Sequence, residues 1–252
     1  MYARRKKLVS QVFVLGSFIL FGLTSCTTAQ VQQAIGGVMQ QTGQPGQTGA
    51  LTQSEVASGL KQALSQGINK GTAQASQTDG FYKNSLIRIP FPPDVQRVEN
   101  TLRTLGLGSE VDKFILTLNR GAEDAAKSAA PIFLNAIKQL TFSDVWNILR
   151  GERDAATQFL KRTTTSQLTS AFSPIMKQSL DKVSATKYYS DLVNRYNKIP
   201  LVKKADPNLE SYATQKAIDG LFTLVAQEEA NIRENPIART TELLKRVFGS
   251  RQ

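Results

Sequence analysis

Glu229 and Arg233, one helical turn apart, with Arg239 beyond a break at Asn235-Pro236, are the residues in this chain best placed to do chemistry. The chain has 252 residues, no histidine and a lone cysteine, Cys26. Ser-His-Asp and Cys-His nucleophilic sites are therefore excluded, as are His/Cys metal cages. Neither a G-x-x-x-x-G-K-[ST] loop nor a G-x-G-x-x-G turn occurs, so nucleotide chemistry lacks its usual phosphate cradle. No cofactor and no metal are expected. What remains is carboxylate chemistry, a general acid and base working on glycan. Glu229 shares a helical stripe with Ile218, Leu221, Phe222, Val225 and Ile232, which places it on the face that should be buried. A buried carboxylate must be paired, protonated or open to a cleft. Glu123, four residues after Asn119 and beside the stripe of its own helix, is a second candidate. Two readings follow: a structural network in which arginines hold Glu229 and pin the last two helices, or a catalytic pair. The structural reading is preferred, because structural ion pairs perturb carboxylates as readily as active sites do.

Such groups need a frame, and from Leu51 to Gly249 the periodicity is helical nearly throughout. Val111, Ile115, Leu118, Ala122, Ala125, Ala129, Phe133, Ala136 and Leu140 keep one stripe, which Pro131 should kink or split. Thr141 with Asp144 makes a capping box, and Gly151 is expected to close that helix in the left-handed conformation. Ser173-Pro174 resembles an N-cap and first-turn proline, and the last helices are predicted over Leu209 to Glu234 and Pro236 to Phe248. "SLIRIPFPPD", residues 85 to 94, departs from this pattern: each proline pushes its predecessor toward extended geometry. It should lie as a strap over the bundle, near the similar "IPLVKKADP" at 199 to 207. The expectation is an all-α multi-helix bundle of about eight or nine helices with one extended Pro-rich strap.

Cys26 belongs to a different context. Arg4, Arg5, Lys6 and Lys7 form a positive n-region before an apolar run from Leu8 to Gly22, too short for a span of ~20 residues but suited to a signal peptide. Leu23, Thr24, Ser25 and Cys26 resemble the bacterial lipobox, which implies cleavage before Cys26 and acylation of its thiol. Residues 1–25 are thus read as a lipoprotein signal peptide. Two acyl chains suffice for stable anchoring. Thr27 stands where the inner-membrane retention signal would have Asp, and Thr27 to Ala50 carry no charge. By resemblance, this implies an outer-membrane lipoprotein facing the periplasm. Residues 26–50, rich in Gln, Gly and Thr, read as a flexible tether of roughly 25–30 Å span. Residues 250–252 are a short tail.

The folded part also carries blocks that call for comparison. "SQTDGFYKN", "IRIPFPP", "LNRGAEDAA", "APIFLNAIKQLTFSD", "ILRGERDAATQFLKR" and "IRENPIARTTELLKRVFG" closely resemble the bacterial domain of unknown function 4197 family. The likeness covers about Leu51 to Gly249. It departs at Gly121, where the pattern has alanine; a mid-helix glycine costs ~1 kcal/mol and permits closer helix approach. The resemblance implies an envelope protein and lends no activity, substrate or catalytic residue.

Formal net charge is +11, and loss of Arg4, Arg5, Lys6 and Lys7 leaves +7 on the mature chain. No basic-aromatic motif stands out, so nucleic acid is not an expected partner. Lys161-Arg162, Lys203-Lys204 and Lys245-Arg246 could meet anionic lipid head groups, although such pairs are usually solvated faces. The leading expectation is a non-enzymatic binding or scaffolding module that engages another envelope component. The rivals are a carrier of an apolar ligand in a cavity lined by Phe114, Phe133, Trp146 and Phe222, and a carboxylate hydrolase.

Overall fold

The computed structural model describes residues 51–201 and 203–249. The lipobox, the proposed tether and the tail lie outside them. Among the described residues there are nine α-helices and no strand. They are α1 (Gln53–Ser76), α2 (Gln96–Thr104), α3 (Gly108–Ala126), α4 (Ala129–Lys138), α5 (Phe142–Arg150), α6 (Ala155–Asp181), α7 (Ala185–Tyr196), α8 (Leu209–Glu234) and α9 (Glu242–Gly249). Short 3₁₀ turns occupy Pro93–Val95 and Pro236–Ala238. The expected all-α bundle is what forms. No described helix is long and apolar enough to cross a membrane.

The long helices α6 and α8 make the closest pair, with α3 against α6, α1 against α8, and α4 against both α1 and α6. Phe133 and Phe222 meet edge to face at 5.6 Å between ring centroids in this core. Phe81, Phe133 and Phe172 are fully buried there.

Local chemistry explains most boundaries. Thr52 with Glu55 and Thr141 with Asp144 form complete capping boxes, and Asn208 accepts from the Ser211 amide at the start of α8. The stripe through Pro131 splits between Ala126 and Ala129, leaving the proline in the first turn of α4, where a missing donor does no harm.

Three expectations are corrected. Gly151 has φ −76° and ψ −175°, so it is extended rather than left-handed. A Cβ there would lie 2.6 Å from the Asn147 carbonyl and 2.8 Å from Ala155 Cβ, so close approach, not positive φ, requires glycine. Ser173-Pro174 does not start a helix; Pro174 lies inside α6. The buried row Leu160, Thr164, Leu168, Phe172, Met176 and Leu180 continues across it, and that packing outweighs the lost hydrogen bond. The last helix begins at Glu242, not Pro236, because Arg239 has left helical geometry with ψ 81°.

The strap also differs in part. Its first half is a turn, with the Ile87 and Arg88 amides donating to the Asn84 carbonyl, and only the stretch after it crosses the bundle. Ile87, Ile89 and Phe91 are buried while Leu86 faces solvent. The expected proximity to residues 199–207 comes down to Lys203 and Asp94, 3.7 Å apart and exposed.

Candidate functional site

Asn119 and Glu123 sit one turn apart on α3, both buried, and both bind the chain that joins α1 to α2. Asn119 Oδ1 accepts from the Ile89 amide at 2.8 Å while Asn119 Nδ2 donates to the Ile89 carbonyl at 2.8 Å. The side chain thereby acts as a one-residue β-partner for the strap. Glu123 Oε1 accepts from the Phe81 and Tyr82 amides at 3.1 and 3.2 Å. Arg120 links Glu123 Oε2 and Asp79 Oδ1, each at 2.6 Å. Asp79 has φ +68°, a conformation that Asp tolerates better than most residues. Lys83 and then Arg120 hold the Asp79 carboxyl below its ordinary range. All of these groups act on backbone or on one another, and the assembly fixes a loop.

Glu229 has a second, separate role. α6 has no side-chain cap of its own, since Asp154 makes no capping bond. Glu229 supplies the cap from α8: Oε1 accepts from the Ala156 amide at 3.0 Å, and Oε2 from the Thr157 amide and hydroxyl, both at 2.8 Å. Arg233 closes the arrangement, with Nε at 3.0 Å and Nη2 at 2.7 Å from Glu229 Oε1. The same Nη2 donates to the Ile148 carbonyl near the end of α5 at 2.9 Å. Anion at one helix start and cation at another helix end match both dipoles.

Arg239 does not reach Glu229. It donates to the Ile232 and Arg233 carbonyls at 3.2 and 2.8 Å, capping α8 itself. The candidate polar network is thus two clusters, Asn119 with Glu123 and Glu229 with Arg233, and Arg239 joins the second only through backbone. Asp79, Arg120 and Thr157 are the partners that periodicity did not single out, because they act through turn and helix-end backbone that has no period.

Acid–base chemistry of the expected kind needs two carboxylates facing one cleft. A cleft of about 300 Å³ gathers Asp144, Glu152, Asp154 and Arg162. Asp144 is spent on its capping box, and the Thr141 hydroxyl and amide lower its pKa, the reverse of what a general acid needs. Asp154 accepts from Gln158 Nε2 at 2.8 Å. Glu152 is left as a single carboxylate without its pair.

A second, larger cleft is different in character. A groove of about 650 Å³ lies between the strap, α2, α3 and α7. Its floor is aromatic: Phe91 and Phe114 are 5.1 Å apart, and Phe114 stacks on Tyr189 at 6.3 Å. Burial first, and then Asp94 and Asp206, push the Tyr189 phenol up to about 12. Its rim exposes apolar side chains, with Leu107, Val183 and Tyr188 at 44%, 52% and 69% exposure, beside the exposed Glu110–Lys113 ion pair. Of the residues named for a ligand cavity, Phe114 lines this groove, while Phe133 and Phe222 fill the core against each other and Trp146 packs beneath the Arg150 guanidinium. Leu107 and Val183 sit in turns and follow no helical stripe, whereas Tyr188 falls on one row of α7 with Ala185 and Leu192.

The family model described as "Protein of unknown function (DUF4197)" matches residues 50–249. The chain belongs to this family. DUF4197 membership spans the whole described fold, including both polar clusters and the groove. No curated protein and no solved structure matches the chain.

Proposed function

We propose that this DUF4197 chain is a non-enzymatic binding module, held at the periplasmic face of the outer membrane by an acylated Cys26, that docks an apolar helical segment of another envelope protein. The groove between the strap, α2, α3 and α7 carries the reading. An enclosed ligand carrier covers most of its ligand's surface, whereas this groove turns Leu107, Val183 and Tyr188 outward, as a macromolecular interface does. Tyr188 has the amphipathic ring that anchors such contacts. Lys182 and Lys187, next to Val183 and Tyr188, are exposed and make no ion pair among the described residues. They complement a partner with acidic residues flanking its apolar stripe. The buried carboxylates support the same reading from the other side, since Glu123 and Glu229 are each consumed by backbone amides and an arginine.

A photo-cross-linking side chain at Tyr188, in the full chain expressed in cells, tests it. The expected product is one adduct on an apolar segment with acidic flanks, lost when Leu107→Glu and Val183→Glu are combined. An adduct on a lipid acyl chain would move the reading to the carrier, and absence of any adduct would overturn it.

A further inference from the structure

The connection between α7 and α8 is closed at its base by one side chain. Asn197 Nδ2 donates to the Ala205 carbonyl at 2.9 Å, and the Ala205 amide donates to Asn197 Oδ1 at 2.9 Å. Ala205 is buried, and Tyr189 donates to the adjacent Asp206 carbonyl at 3.4 Å. Asn197 and Ala205 thus hold together the two ends of the connection that carries Lys198 to Leu201 and Lys203 to Lys204, as at the base of a compact surface loop. Its tip is apolar and turned outward. Ile199 is 53% exposed, and Leu201 is wholly exposed with φ +65°, a conformation rare for a branched side chain. Lys198, Lys203 and Lys204 flank the tip, and no acidic residue occurs between Lys198 and Lys204. Lys203 makes only the long, exposed contact to Asp94, while Lys198 and Lys204 have no ion pair among the described residues.

Exposed apolar side chains flanked in sequence by three exposed lysines are poorly matched to solvent alone. We infer that this loop is a contact for an anionic phospholipid surface, with Ile199 and Leu201 entering the head-group region and Lys198, Lys203 and Lys204 pairing with phosphates. Both halves of the loop suit that surface: lysine stems reach up to phosphate while branched side chains leave water for the acyl boundary. A protein partner would need an acidic hollow matched to two protruding aliphatic groups; a bilayer supplies charge and apolar depth without a fixed shape. The contact lies outside the groove and does not depend on the partner assigned there. Each lysine near an anionic surface contributes roughly fivefold to binding, so two charge removals lower it by roughly 25-fold.

The test uses the full chain with Cys26→Ser, so that no acyl anchor contributes, and Leu201→Cys carrying an environment-sensitive fluorophore. Its probes are vesicles of phosphatidylcholine with and without phosphatidylglycerol, and the control is the same label at exposed Ser166. The expected result is a blue shift at position 201 that requires phosphatidylglycerol, is absent at 166, and weakens by roughly 25-fold in vesicle concentration when Lys203→Ala and Lys204→Ala are combined. The apolar run at 8–22 can bring any of these chains to a vesicle, but it cannot move the 201 label selectively. A label at 201 that stays water-exposed on vesicle-bound chain overturns the inference. So does a shift indifferent to phosphatidylglycerol and to both lysines, or a label silent on vesicles that cross-links to a protein instead.

Discussion

Replacing Glu229 separates a structural carboxylate from a chemical one without any substrate. Its two oxygens accept from the Ala156 amide, the Thr157 amide and hydroxyl, and Arg233 Nε and Nη2, with every partner acting as a donor. Arg233 is nearly as buried, at 10% side-chain exposure against 4% for Glu229. Glu229→Ala therefore leaves an uncompensated guanidinium beside orphaned helix-start amides, a loss of about 3–5 kcal/mol. Glu229→Gln keeps the shape and one acceptor, but its NH₂ must face either the Thr157 donors or Arg233. That loss of a charge-assisted bond costs about 1.5–3 kcal/mol. With a urea m-value of about 2 kcal/mol/M, the Ala midpoint falls by roughly 2 M and the Gln midpoint by roughly 1 M. The neighbouring Glu228 is the internal control: it pairs with Lys70, whose side chain is 61% exposed, and Glu228→Gln should cost less than about 1 kcal/mol. Urea melts followed by circular dichroism measure all three. A midpoint for Glu229→Gln equal to or above that of the parent would refute the reasoning, because only a carboxylate held against its own stability gains from neutralisation.

Three further outcomes are expected. Asn119→Ala strands the buried Ile89 amide and carbonyl, costs about 2–4 kcal/mol, and makes the strap near Arg88 the first site of limited proteolysis, read by mass spectrometry of the fragments. Asp79 has a folded pKa below its unfolded value, so its contribution is full above the unfolded value near ~3.9 and disappears as pH falls through the folded one. Asp79→Asn should destabilise the chain at neutral pH, and denaturant midpoints of mutant and parent should converge as pH falls through the folded value. Cys26→Ser should leave an unprocessed precursor that takes up no radiolabelled acyl chain, and normal processing of that variant would remove the proposed anchor.

Side chains that repeat along a helix were legible, and side chains that act on backbone were not. The stripe through Ile218, Leu221 and Phe222 places Glu229 among buried groups because 3.6-residue periodicity carries burial directly. It says nothing about Ala156 and Thr157, 73 and 72 positions away, whose unpaired amides become partners only when α6 begins beside α8. Arg239 was misplaced for the same reason. Charge invites a search for the opposite charge, whereas carbonyls left open at the end of α8 attract the guanidinium equally well. Pro174 shows the converse error, a local breaker overruled by a buried row that runs through it. The groove was legible only in its floor, through Val111 on the stripe of α3; much of its rim comes from the α2–α3 and α6–α7 turns, which have no period.

Two asparagines make the functional contrast in this fold concrete. Asn119 and Asn197 each give the amide of one loop residue an acceptor and its carbonyl a donor, and each thereby fixes an irregular segment that no sheet or helix could hold. Asn119 ties down a segment whose apolar groups, Ile87, Ile89 and Phe91, end up buried. Asn197 ties the base of a segment whose apolar groups, Ile199 and Leu201, end up in water. The clamp is the same, so the clamp does not decide the direction of the side chains. Burial of the first segment is repaid within the molecule by Phe114 and the α3 face, whereas the second leaves Ile199 and Leu201 exposed, with Lys198, Lys203 and Lys204 on either side in sequence. Hydrophobic groups held outward by a rigid base lose little further conformational freedom when a surface covers them, and a preorganised contact binds more tightly than a loose one of the same composition. On this argument, Asn197→Ala should weaken the phosphatidylglycerol-dependent shift at position 201 while leaving all three lysines in place. If that variant gave the same shift as the parent, entry of the tip would not depend on the Asn197 clamp, and the argument from preorganisation would fall.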